Sequence, residues 1–194
     1  MNDRLSIDPK TSALLIMDFQ RTVVENHARD KEGILARTRG LIGSARRVAL
    51  KVVYVVVGFR PGYPEVSPRN QSFGMIRNTG RFAHGAAGGE IHPEVAPEAQ
   101  EVVVTKHRTS AFSGTDLDMV LRANSLDTLI LAGIATSGVV LSTVRYAADL
   151  DYRLFVVADC CSDSDPEVHR VLTEKVFPRQ ATVTTAALLG QVLL

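Results

Sequence analysis

Five short runs along the chain are continuously apolar and rich in β-branched residues: 13–17, 52–57, 102–105, 128–134 and 154–158, with 181–184 as a sixth candidate. A strand with one wet face alternates apolar and polar residues. A run without alternation fits a strand covered on both faces. Between these runs lie stretches with helical spacing. Residues 34–50 bring Leu35, Leu41, Ile42, Ala45, Val48 and Ala49 toward one side. Residues 117–123, 139–150 and 167–177 read as further helices, the last opened by Asp165 as N-cap and Pro166 in the first turn.

Strand and helix alternate, which predicts right-handed βαβ units. The expected fold class is α/β: a three-layer α-β-α sandwich around a mainly parallel, Rossmann-like sheet of about six strands. Residues 60–97 break the alternation, holding five of the eight prolines and six of the fourteen glycines. They read as a long irregular excursion on the rim of the sheet, of the kind that forms lids and binding segments. The apolar stretch 186–194 fits an interface helix or an ordinary core helix. Neither repeats nor linkers appear, so residues 1–194 are expected to form one domain.

Composition narrows the partners. Lys and Arg number 22 against 21 Asp and Glu, a net charge of +1, so the basic surplus of a nucleic-acid binder is missing. The two cysteines, Cys160 and Cys161, are adjacent, which excludes a disulfide framework and a zinc site built from several cysteines. The N-terminal MNDRLSIDPK is polar and mixed in charge, unlike a signal peptide. No apolar run approaches the roughly 18 residues of a membrane span. The expectation is a cytoplasmic protein acting on a small molecule, with no nucleic acid and no membrane as partner.

Ligands of open α/β sheets bind outside the carboxyl ends of the strands. The polar residues expected there are Asp18, Lys106, Asp159 and a helix start near Thr136 or Ser137. Together an acid, a cation and a helix N-terminus suit an anionic ligand. Taken singly, each has an ordinary explanation as a turn residue, a solvated charge or an N-cap.

The segments ALLIMDFQ, VVTKHRTSAFSGTDLDMVLR, DTLILAGIATSGVVLSTVRYAADLDY and FVVADCCSD resemble the isochorismatase-like hydrolase superfamily, over residues 13 to about 184. That group includes nicotinamidases, carbamoyl-sarcosine amidohydrolase-type enzymes and isochorismatases. The resemblance implies Asp18 and Lys106 as catalytic residues. It also implies a cis peptide between Ile134 and Ala135, and substrate-binding backbone from Ala135 through Thr136, Ser137 and Gly138. In the cysteine-hydrolase branch the nucleophile is the seventh residue counted from Gly133, and here that position holds Val139. Valine has no lone pair, so covalent amidohydrolysis through position 139 is impossible. Thr136 or Ser137 would need a base within reach to replace it. Cys160 and Cys161 are two connections away, and free cysteines are mostly buried.

Isochorismatases manage without the thiol. In that branch an Asp protonates an enol-ether carbon and water adds directly, so Asp18 would be the acid/base and Lys106 its partner. A neighbouring Lys lowers a carboxyl pKa and desolvation raises it; the sequence leaves the balance open.

No cofactor is expected, and no metal. The nicotinamidase Asp-x-His ligand region corresponds to 57–63, without His or Asp, and His84, His92 and His169 read as loop or surface residues. Arg60, Arg69, Arg77 and Arg81 lie in the excursion as candidate clamps for a substrate carboxylate, and Arg60, directly after the second strand, is the preferred one. Gln20 is expected to point the same way as Asp18, and Phe112 to form an apolar wall. The leading expectation is a thiol-free isochorismatase-like hydrolase, a homo-oligomer (dimer or tetramer), on a small anionic metabolite. The alternative is a non-catalytic small-molecule-binding or assembly relative.

Overall fold

The structure is a computed structural model and describes residues 6–193. The N-terminal reading therefore falls partly, at residues 1–5, outside the described residues, as does Leu194 at the end of the expected last helix. Six parallel strands form one sheet in the order β3-β2-β1-β4-β5-β6. They are β1 (Ser12–Met17), β2 (Lys51–Val57), β3 (Val102–Lys106), β4 (Thr128–Ile134), β5 (Arg153–Ser162) and β6 (Thr182–Thr184). The helices are α1 (Arg21–His27), α2 (Lys31–Arg47), α3 (Gln71–Thr79), α4 (Leu117–Ala123), α5 (Leu141–Asp149), α6 (Pro166–Val171) and α7 (Ala186–Val192).

Successive strand side chains point to opposite faces. In β1, Leu14 and Ile16 enter a core shared with Ile34, Leu41 and Ala45 of α2 and Leu189 of α7. Ala13, Leu15 and Met17 enter a second core with Leu117 and Leu121 of α4 and Val144 and Ala147 of α5. Both faces of β1 and β4 are dry, which is why their runs do not alternate; the edge strand β3 departs from the expectation, with Val102 and Val103 exposed.

Several boundaries differ from the sequence reading. The second helix begins at Lys31, because Asp30 caps it by accepting a hydrogen bond from the Gly33 N–H at 3.0 Å. It ends at Arg47, before Ala49 at φ +56°. The helix expected over 167–177 ends at Val171, continues as a wide π-type turn over Leu172–Val176, and tightens at Phe177–Arg179. Its predicted start holds: the Asp165 carboxylate accepts from Glu167 and Val168 N–H groups. α1 lies in a stretch that carried no helix expectation, and α3 lies inside the supposedly irregular 60–97.

The fifth strand does not stop near Asp159 but runs on to Ser162 through a bulge, where Leu131 pairs with Val156 yet Gly133 pairs with Cys161. Cys160 and Cys161 thus sit within β5 rather than after it. They are free and buried, one in each core. Burial pushes the Cys160 thiol up to about 12 and that of Cys161 higher still, so both are inert at neutral pH. Asp159 is occupied structurally, accepting the Ala186 N–H at the start of α7 at 2.8 Å.

Candidate active site

The strand order reverses direction between β1 and β4, the place where open sheets leave a crevice at the strands' carboxyl ends. Asp18 follows β1 immediately, in a left-handed backbone conformation at φ +57°, one of the few conformations of this kind that Asp tolerates. Its N–H donates to the Val55 carbonyl at 2.8 Å, fixing the turn to β2. Lys106 closes β3. With β2 between them, the two strands stand about 9–10 Å apart. The long lysine side chain spans that gap, bringing Nζ to 2.9 Å from Asp18 Oδ2 while also donating to the Arg108 carbonyl at 3.1 Å.

Both partners are buried: the Lys106 side chain is 4% exposed and that of Asp18 9%. Asp18 Oδ1 is buried without any hydrogen-bond partner. Loss of water around Asp18 raises its carboxyl pKa more strongly than Lys106 lowers it, so the net direction is upward.

The second wall is the turn after β4. The Ile134–Ala135 peptide is cis, as the family resemblance implied. The chain then makes a wide turn over Thr136–Val140 in which the Ala135 carbonyl accepts from Gly138 N–H at 3.1 Å. Gly133 makes room for it: a Cβ there would sit 3.0 Å from Val140 and 3.2 Å from Met17. The turn is held from behind. Thr136 Oγ1 and His169 Nδ1 are 2.8 Å apart, and Ser137 donates from both N and Oγ to Asp163 Oδ2 at 2.8 and 2.7 Å. His169, expected at the surface, is half-buried and engaged with the turn. Burial lowers its pKa, against an opposing pull from Asp163.

A cavity of about 500 Å³ lies between these elements. Asp18, Lys106, Ala135, Gly138 and Val139 all line it, so the structure brings these five sequence candidates together. No cysteine lines it. Opposite stand Phe73 and Ile76 of α3 and Arg81 and Phe82 beyond it; of these, Arg81 was among the candidate clamps but ranked behind Arg60. A signal for α3 was present: Asn70 caps its start by accepting from Phe73 N–H at 3.0 Å, and Gly80 ends it at φ +68°.

The remaining candidates lie elsewhere. Gln20 is buried and spent on the backbone, donating to Val57 and Gly89 carbonyls at 2.9 and 2.6 Å and accepting from Val57 N–H at 2.9 Å. The reason is local. The strand ends at Met17 and Asp18 is left-handed, so the two-residue period no longer carries Gln20 to the Asp18 side. Arg60 is 71% exposed and paired with Glu65 at 2.5 Å, on the rim of a different cleft. Phe112 is packed in the α4/α5 core, stacked on Tyr146 at 5.3 Å. Thr136 and Ser137 turn away from the cavity toward α6. Among the described residues no cluster of three or more His, Cys, Asp or Glu is placed to hold a metal ion. Nor is any helix long and apolar enough to cross a membrane.

Comparison with known proteins gives a consistent picture. A family model described as the isochorismatase domain matches residues 12–187. The isochorismatase family protein YwoC of Bacillus subtilis (strain 168) is 32% identical over 186 residues, covering 92% of this chain and 92% of its own. N-carbamoylsarcosine amidase from Thermoplasma acidophilum superposes with a TM-score of 0.74 at 32% identity, covering 91% of this chain and 96% of that one. A cysteine hydrolase from Pseudomonas syringae pv. phaseolicola 1448A shares the fold at a TM-score of 0.88 and 23% identity, covering 100% and 98%.

Proposed function

Since the chain belongs to the isochorismatase family, we propose that it is a hydrolase that cleaves a vinyl ether or similar bond in a small anionic metabolite, using Asp18 as general acid/base and water as the direct nucleophile. Asp18 carries this reading: a buried carboxyl with one unpartnered oxygen, lining the cavity, its pKa raised by desolvation. Desolvation shifts the balance toward the protonated carboxyl, the form that can donate a proton.

In this scheme the C=C π electrons take the proton from Asp18 at the terminal carbon, leaving an oxocarbenium ion. Water adds to its carbon and returns a proton to Asp18. The resulting hemiketal passes its hydroxyl proton to the ether oxygen as the C–O bond breaks, releasing an alcohol and a ketone. Lys106 holds Asp18 in place and offsets its charge after proton transfer. Ala135, Gly138 and Val139 form the substrate's other wall, and Thr136 and Ser137 brace the turn that carries them.

The test is turnover of isochorismate beside a panel of amides and ureas. Asp18→Asn should lower kcat/KM by about 10²–10⁴; an unchanged rate overturns the mechanism. Saturable binding without turnover of any compound would instead mark a non-catalytic binder. Because Asp18 must carry its proton, kcat/KM falls as pH rises through its raised pKa. Val139→Cys asks whether only the nucleophile separates this site from an amidase, and is expected to gain amide hydrolysis. The same reading makes the protein a cytoplasmic dimer or tetramer, which light scattering after size exclusion checks for the assembly state.

A further inference from the structure

Arg81, which lines the Asp18 cavity, carries a second buried polar atom without a partner. Arg81 Nε is buried and makes no hydrogen bond. The side chain forms no ion pair among the described residues; its recorded contact is with the Phe82 ring, 5.5 Å from guanidinium carbon to ring centre. Buried guanidinium N–H groups are almost always satisfied by an acceptor. Among the described residues the Arg81 guanidinium has no acceptor, and because the residue lines the cavity its terminal N–H groups are free to take one from a ligand.

The backbone around it is fixed. Gly80 at φ +68° ends α3, and Phe82 sits at φ +60°, a conformation that a bulky side chain adopts only when its surroundings enforce it. Those surroundings are visible. Tyr63 Oη donates to the Arg81 carbonyl at 2.9 Å, and Phe59 N–H donates to the Phe82 carbonyl at 2.8 Å. The base of the side chain is thus held to the extension of β2 while its donors are unspent.

Charge points the same way. Asp18 is the one acid lining the cavity, and Lys106 already pairs with it. Arg81 is a second cation with no acid of its own there. The rest of the wall is mainly apolar, including Phe73, Ile76, Phe82 and Val139. A planar guanidinium beside apolar surface favours a carboxylate on a small hydrocarbon or ring body over a hydrated inorganic anion.

We infer that Arg81 is the specificity-determining anchor of this site, gripping the carboxylate of a small organic acid and so placing its reactive bond against Asp18. This rests on the reading of the cavity as the substrate site, but not on the hydrolytic mechanism. Arg60, on its outer cleft, has no part in it.

Calorimetry with benzoate, its uncharged counterpart benzamide, and inorganic phosphate tests the inference on the intact protein. Benzoate should bind the wild type in preference to both others. Arg81→Met, which keeps the aliphatic stem, should weaken benzoate by about ten- to a hundredfold and leave benzamide unchanged. Arg81→Lys, which keeps the charge but not the fork, should fall between and shows that the fold tolerates the site. Equal benzoate affinity in wild type and Arg81→Met, or no preference for benzoate over benzamide, overturns the inference. Asp18→Asn should bind benzoate at least as well as the wild type, since it removes the one acidic group lining the cavity. Loss of turnover in Asp18→Asn with unaltered binding in Arg81→Met would leave the mechanism standing and this inference fallen. The reverse pattern, carboxylate binding dependent on Arg81 with no hydrolysis, would do the opposite.

Discussion

Two concavities lie on either side of the segment that follows β2, and they differ in an instructive way. The larger, about 730 Å³, is rimmed by Gln20, Arg60, Glu90 and His107. These four are committed: Gln20 to the backbone of Val57 and Gly89, Arg60 to Glu65, Glu90 to Arg21, and His107 Nδ1 to the Gly58 carbonyl. The smaller, about 500 Å³, holds Asp18 Oδ1 and Arg81 Nε, both buried and both unpartnered. Size does not distinguish a binding site from a fold in the surface. Unspent hydrogen-bonding capacity, held where water is scarce, does.

The sharpest way to break this contrast is to remove a committed partner inside the smaller cavity. Lys106→Met strands Asp18 beside an apolar side chain, and breaking a buried pair in this way costs about 3–5 kcal/mol when the remaining group stays charged. Asp18 can shed that cost by keeping its proton. Its folded-state pKa, already raised, rises further in the variant, so the folded state binds protons more tightly than the unfolded one. Stability then falls as pH climbs from the ordinary carboxylate range through that raised value. Chemical denaturation at several pH values should show the variant closest to wild type in acid; a deficit independent of pH contradicts the assignment.

A smaller effect is expected from the larger cleft. Gln20→Ala leaves the Val57 N–H and carbonyl without their side-chain partner, a loss of about 1–3 kcal/mol. Any activity change should follow from stability rather than chemistry, seen as a lower melting temperature with kcat retained well below it. Smallest of all is Arg60→Ala. An exposed ion pair contributes little, and KM for an anionic substrate should stay within about twofold. A large rise in KM would return the carboxylate clamp to Arg60 and reverse the roles of the two concavities.

These contrasts mirror how much the chain disclosed in advance. The central strands were legible because both sheet faces are dry there, which writes uninterrupted apolar runs into the sequence; β3 carries such a run at an exposed edge. Asp18 and Lys106 were legible because strand ends are where such sheets carry ligands. Gln20 was misplaced because a left-handed Asp18 resets side-chain direction, and a backbone angle of that kind leaves no mark in apolar periodicity. His169 was taken for a surface residue because its helix could be predicted but not its rotation about its own axis. Arg81 was one of four candidate cations and was ranked behind Arg60 because it lies in a Gly- and Pro-rich segment where α3 is short and its core contact, Phe73, stands nearly alone. The capping signals at Asn70 and Gly80 were the available clue.

The two adjacent cysteines, one facing each core, have a consequence for chemical durability. A hydrolase that relies on an activated thiolate is silenced by dilute peroxide or by alkylating reagents, because the sulfur that does the work is also the sulfur that is exposed. Here both sulfurs are walled off on opposite sides of a sheet, with no neighbouring thiol on the same face to resolve a sulfenic acid. Iodoacetamide treatment of the folded protein should leave its activity intact. On the proposed mechanism a carboxyl does the work of the thiol, so turnover should also survive dilute peroxide, as an activity assay after peroxide treatment would check.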